Sequence, residues 1–125
     1  MPKNAFVSPD LPEPAGPYSH VAEVGGMVFT AGFGPKNPAT GETPDGIAAQ
    51  TAQVLENVKN ALAAAEATLD DVVKVTVHLQ NLLEDFAAFN EVYARYFPEP
   101  YPVRTTVGSQ LFNILVEIDV VAMKP

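Results

Sequence analysis

The strict alternation Val73-Lys74-Val75-Thr76-Val77-His78-Leu79-Gln80 constrains this chain most. Successive side chains of an extended strand project to opposite faces, so the valines and Leu79 share one face and Lys74, Thr76, His78 and Gln80 the other. A strand that is apolar on one side needs hydrogen-bonded neighbours at its edges and a cover over that side. Helical patterns on both flanks supply the cover. Before it, Ile47, Thr51, Leu55, Val58, Leu62 and Ala65 recur at three- and four-residue spacing, which predicts a helix from an Asp45 N-cap to about Ala67. After it, Asn81 with Glu84 reads as a capping box opening a second helix from about Leu83 to Phe97. Phe86, Phe89, Tyr93 and Phe97 (or Tyr96) form its apolar face, and Pro98 and Pro100 stop it.

The neighbouring strands are legible too. Val21 to Val24 and Met27 to Ala31 flank Gly25-Gly26, a dipeptide free to take positive φ twice and so to close a tight hairpin. Val103 to Val107 and Ile114 to Met123 close the chain. In the last run Ile114, Val116, Ile118 and Val120 face one way, and Leu115, Glu117, Asp119 and Val121 the other. The first stretch, to about Tyr18, is proline-rich and reads as an irregular arm, and Pro38-Ala39-Thr40-Gly41 reads as a turn in the loop from Gly32 to Pro44. The expected order is β-β-α-β-α-β-β, an α+β fold with both helices on one sheet face. The opposite face carries Leu115, Val121 and Thr76 and is only half polar, which points to burial against a second copy of the chain.

A length of 125 residues fits a single domain spanning the whole chain. Seven Lys and Arg stand against fifteen Asp and Glu, a net charge of −8, and the cations are scattered singly. Nonspecific nucleic-acid binding needs the reverse, a basic surface that displaces counterions from phosphates. The absence of cysteine rules out disulfides, thiolate metal sites and a cysteine nucleophile. No apolar run is long enough for a signal peptide or a membrane span, so the expected location is the cytoplasm.

Few residues remain to carry chemistry. His20 and His78 are far apart, with no metal-ligand spacing around either; His78 falls on the polar side of its strand, as a solvated or hydrogen-bonded imidazole. Gly32-Phe33-Gly34 lacks the third glycine of a dinucleotide loop, and neither Ser19 nor Ser109 sits in a nucleophile elbow. Arg104 stands out as a permanent cation among β-formers, suited either to a cross-strand acidic partner or to the carboxylate of a small ligand. Glu117 is able to hold or deprotonate a water, or simply to pair with a cation; Asp119 shares its face. Tyr18 and Asn90 could orient a ligand, or anchor the arm and decorate a helix surface.

Taken together, Gly16-Pro17-Tyr18, Phe29-Thr30-Ala31-Gly32, Asn37-Pro38-Ala39-Thr40-Gly41-Glu42, Gln53-Val54-Leu55-Glu56-Asn57-Val58, Val73-Lys74-Val75-Thr76-Val77, Phe86-Ala87-Ala88-Phe89-Asn90-Glu91-Val92-Tyr93, Pro102-Val103-Arg104 and Glu117-Ile118-Asp119 resemble the RidA (YjgF) family of enamine/imine deaminases. The resemblance spans essentially the whole chain. It implies a chorismate-mutase-like fold and a homotrimer with sites between subunits. Carried over residue by residue, it makes Arg104 the carboxylate clamp, Glu117 the water-positioning glutamate, and Tyr18, Asn90, Ala31 and Thr106 substrate contacts. Ala31 departs from the serine common in the family, Thr106 from cysteine, and Gln110-Leu111-Phe112-Asn113 from the usual turn. The implied reaction is hydrolysis of 2-imino or 2-enamino acids to 2-keto acids and ammonia, with no cofactor and no metal. Deamination of a more elaborate aminomuconate-type enamine and a non-catalytic keto-acid-binding trimer are the alternatives. An endoribonuclease role sits poorly with the charge.

Overall fold

The computed structural model describes residues 2–125. Six strands form one mixed sheet: β1 (Asn4–Phe6), β2 (Val21–Val24), β3 (Met27–Thr30), β4 (Val72–Leu79), β5 (Val103–Gly108) and β6 (Val116–Met123), ordered β1-β2-β3-β6-β4-β5. β4 and β5 run parallel, which the helix between them allows, and every other pairing is antiparallel. The helices α1 (Ile47–Ala64) and α2 (Leu82–Tyr96) cover one face. There Val75, Val77 and Leu79 of β4 and Val116, Ile118, Val120 and Ala122 of β6 meet Leu55, Val58 and Leu62 of α1 and Phe89 of α2.

The alternation puts Val75, Val77 and Leu79 on the covered face as expected, but Val73 is 51% exposed, because the ladder with β6 shifts register between Val72 and Lys74 and Val72 takes the buried place. Gly25 and Gly26 close their hairpin with φ of 57° and 84°. The turn at Pro38–Gly41 also forms: Asn37 Oδ1 accepts the Ala39 N–H at 2.9 Å, and Gly41 takes φ 76°. His78 is hydrogen-bonded as expected, through Nδ1 to Ser109 Oγ at 2.7 Å.

Five other local expectations are corrected. The N-cap of α1 is Gly46, at φ 85°, because that positive φ lets the chain turn into the helix one residue after Asp45; no side chain caps it. The helix ends at Ala64 rather than Ala67, since Glu66 turns to φ 62° and Ala67 folds back on Leu62. The Asn81–Glu84 capping box does not form; the box is instead at Thr68, whose N–H donates to Asp71 Oδ2 at 2.8 Å ahead of a short 3₁₀ turn (Leu69–Asp71). The last strand begins at Val116, not Ile114, because Leu115 N–H is taken by Gln50 Oε1 of α1 at 2.8 Å. The arm is not wholly irregular: Asn4–Phe6 pairs with β2 as an edge strand. His20 fastens it, its Nδ1 accepting the Ser8 N–H at 3.0 Å while Nε2 meets the Pro12 carbonyl at 2.7 Å. The first of these contacts makes Nδ1 the acceptor, so the ring proton sits on Nε2.

Candidate functional site

β5 is oriented against its own hydrophobic pattern. The parallel register sets Arg104 beside Val75 and Thr106 beside Val77, so both polar side chains take the helix-covered face. Val103 and Val107 stand on the open face. At the sheet edge, beyond the reach of α1, the Arg104 guanidinium lies under α2. Its central carbon is 4.6 Å from the Tyr93 ring centroid, 5.4 Å from Phe89 and 5.9 Å from Phe86. Phe86 was expected in the core but is 41% exposed, because it borders the arginine instead of the sheet. Nη2 of Arg104 donates to Asn90 Oδ1 at 2.8 Å.

No acidic side chain pairs with Arg104 among the described residues; the ion pairs join Arg95 to Glu91, and Lys124 to Glu23 and Glu66. The cross-strand acidic partner is thus absent, and aromatic faces carry the guanidinium while leaving most of its N–H donors unused. A cleft of about 360 Å³ opens on it, lined by Asn90, Tyr93, Ala94, Tyr101, Pro102 and Arg104. Donors converge there without a counter-charge, a chemistry suited to a carboxylate.

Glu117 lies on the other side of the sheet. Its register partner is His78, which alternates with the buried Val77 and Leu79, so Glu117 points from the open face. It borders a second cleft of about 600 Å³, together with Tyr18, Ser19, Thr30, Ala31 and Gly32. The Glu117 side chain rests on the bare α-carbon of Gly32: a Cβ there would lie 2.7 Å from Oε2 and 2.8 Å from Cδ. Tyr18 is 47% exposed, its hydroxyl accepting the Ala15 N–H at 3.1 Å. Asp119 sits beside Thr76 on this face; burial pushes its carboxyl pKa above the ordinary value, against the downward pull of His78 and Lys74.

The single chain thus divides the expected residues in two. Arg104, Thr106 and Asn90 belong to the helix side, and Tyr18, Ala31 and Glu117 to the open side. Sequence reasoning missed Gly32 as the seat of Glu117 and Tyr93 as part of the arginine's surroundings. Tyr93 is buried in the core as its spacing to Phe89 predicts, and it borders the arginine as well; its place one helical turn from Asn90 was the available signal. Among the described residues no group of three or more His, Asp or Glu is placed to hold a metal, and no helix is long and apolar enough to cross a membrane.

This fold, with an uncompensated guanidinium facing one cleft and a seated carboxylate facing another, defines a small α+β protein with a polar cleft on each side of its sheet. Residues 9–124 match the family model described as Endoribonuclease L-PSP, and the chain belongs to that family, the YjgF/RidA family. It is 44% identical to a RutC family protein of Pyrococcus abyssi, over 99% of each chain. It is 37% identical to the 2-iminobutanoate/2-iminopropanoate deaminase of Escherichia coli, over 92% of this chain and 93% of that one. Among solved structures, Escherichia coli TdcF with bound serine superposes with a TM-score of 0.90 at 35% identity, covering 98% of this chain and 99% of that one.

Proposed function

We propose that the protein hydrolyses 2-imino acids, and their 2-enamino tautomers, to 2-keto acids and ammonia in the cytoplasm. The observation that carries this is the Arg104 guanidinium, fixed by Asn90 and open to a cleft with no acidic partner. Its fork takes the substrate carboxylate and so places the C=N carbon. Glu117 takes a proton from water as the oxygen bonds to that carbon and returns it to the nitrogen, giving the carbinolamine. The carbinolamine then expels ammonia and leaves the keto group. Orientation and proton transfer suffice, the latter typically contributing about 10²- to 10⁴-fold. The deaminase name of the Escherichia coli relative and the serine bound to TdcF support this substrate class.

Arg104 and Glu117 project from opposite faces of one sheet, so a substrate touching both is held between two copies of the chain. The assembly we propose is a homotrimer, with Arg104, Thr106 and Asn90 from one subunit facing Tyr18, Ala31 and Glu117 of the next.

The test generates imino acids with an amino-acid oxidase and follows their loss. Wild type should accelerate hydrolysis, and Arg104→Ala and Glu117→Ala should each abolish the acceleration while remaining folded. Refolding the two inactive variants together should restore part of it, because mixed oligomers contain interfaces with both residues intact. Full activity in Arg104→Ala would refute the carboxylate clamp; active parents or a dead mixture of folded, mixed oligomers would refute the shared site.

A further inference from the structure

Tyr93 presents a feature that the fold alone does not need. Its side chain is 6% exposed, wedged between Phe89 (ring centroids 5.6 Å apart) and Phe97 (4.7 Å), so it has no freedom to turn away. Its hydroxyl is fully buried and, among the described residues, completes no hydrogen bond of good geometry, the Arg104 guanidinium standing only near enough to draw on its oxygen. Phenylalanine would fill the same space between the two rings without that cost, since a buried hydroxyl left unpaired loses its hydration with nothing in return. The residue nevertheless lines the cleft onto which Arg104 opens, one helical turn from Asn90 and directly beneath the guanidinium.

The polar inventory of that cleft is one-sided. Arg104 spends one N–H on Asn90 Oδ1 and keeps the rest, and the Tyr93 O–H is a further unspent donor. Among the described residues no acidic oxygen pairs with the arginine to balance them. A carboxylate is acceptor-only, and its two oxygens have room for a third donor after a guanidinium fork has engaged them. We propose that the Tyr93 hydroxyl is that third donor, a substrate-binding group that completes the carboxylate seat once the guanidinium swings off the ring toward an incoming ligand. This inference rests on the reading of the Arg104 cleft as the carboxylate site. Burial, outweighing both the Arg104 charge and the pull of its N–H groups on the phenol oxygen, holds the phenol's pKa above its ordinary value; arginine can only donate, so the O–H proton stays free for a ligand.

Tyr93→Phe separates the hydroxyl from the ring. The variant should unfold at the same urea concentration as wild type or a higher one, because an unpaired buried hydroxyl has been removed. Its affinity for 2-oxobutanoate, measured by calorimetry, should fall roughly 10- to 100-fold, the usual value of a hydrogen bond to a charged group. KM for imine hydrolysis should rise by a similar factor with kcat nearly unchanged, a split that loosened packing would not produce. Wild-type affinity in a stable Tyr93→Phe protein, with Arg104→Ala unable to bind, would overturn the role of Tyr93 alone. Failure of wild type to bind 2-oxobutanoate or to turn over any imino acid would overturn the carboxylate seat and this inference with it. A lowered urea midpoint would show that the hydroxyl stabilises the unliganded fold and would overturn the inference by that route.

Discussion

Gly32→Ala tests how tightly the position of Glu117 is set. The added Cβ would stand 2.7 Å from Oε2, 2.8 Å from Cδ and 3.2 Å from Cγ of Glu117, while ordinary contact begins at 3.4 Å. The carboxylate must therefore retreat by at least about 0.7 Å. Gly32 does not require a positive φ, and the three atoms nearest an added Cβ all belong to the Glu117 side chain, so that side chain and not the backbone is the first to yield. Because the flexible end of Glu117 yields first, stability should fall by only about 1 kcal/mol, the lower end of overpacking costs. Catalysis should suffer more: a reacting group misplaced by about 1 Å loses on the order of 10²-fold in rate. The assay is kcat for imine hydrolysis in Gly32→Ala, Glu117→Ala and the double variant, with urea midpoints for each. If Gly32 acts through Glu117, the double variant will be no slower than Glu117→Ala. Unchanged kcat in Gly32→Ala, or losses that multiply in the double variant, would refute the reasoning.

Burial makes Asp119 hold its proton more tightly in the folded than in the unfolded chain, so its contribution to stability is largest below the unfolded carboxyl pKa and declines as pH rises through the folded value. Asp119→Asn should therefore be the more stable protein at neutral pH and lose that advantage in acid, which urea midpoints across pH would reveal. Asn57 is fully buried in α1, and its Nδ2 holds the Gly34 carbonyl at 3.0 Å and the Lys36 carbonyl at 2.9 Å. Asn57→Ala should cost about 2–4 kcal/mol by leaving both carbonyls unpaired, and a loss under about 1 kcal/mol in chemical denaturation would contradict that role.

The elements themselves were readable because periodicity is local. The alternation in β4 and the stripe of α1 each express which side of one segment avoids water, and the folded protein buries those sides except at Val73, where the register shift beside Val72 breaks the pattern. Arg104 with Asn90 and Glu117 with Tyr18 were singled out as residues, yet their partition was not. β5 shows why: its valines suggest an inward face, but on an edge strand the register with β4 turns Arg104 and Thr106 inward and leaves Val103 and Val107 out. Phe86 likewise belongs to the apolar stripe of α2 by spacing, yet it borders the guanidinium and is left exposed, whereas Tyr93 is buried as expected and faces the guanidinium too.

What the sequence determined by itself was the set of elements, their buried sides and the few side chains available for chemistry, since each follows from residues within a turn or a strand of one another. What only the tertiary structure decided was the order β1-β2-β3-β6-β4-β5, the orientation of β5, and the separation of Arg104 from Glu117 by the thickness of the sheet. Those depend on pairings between distant segments, where hydrogen-bond register fixes the face of each side chain, and a shift of one residue would reverse it.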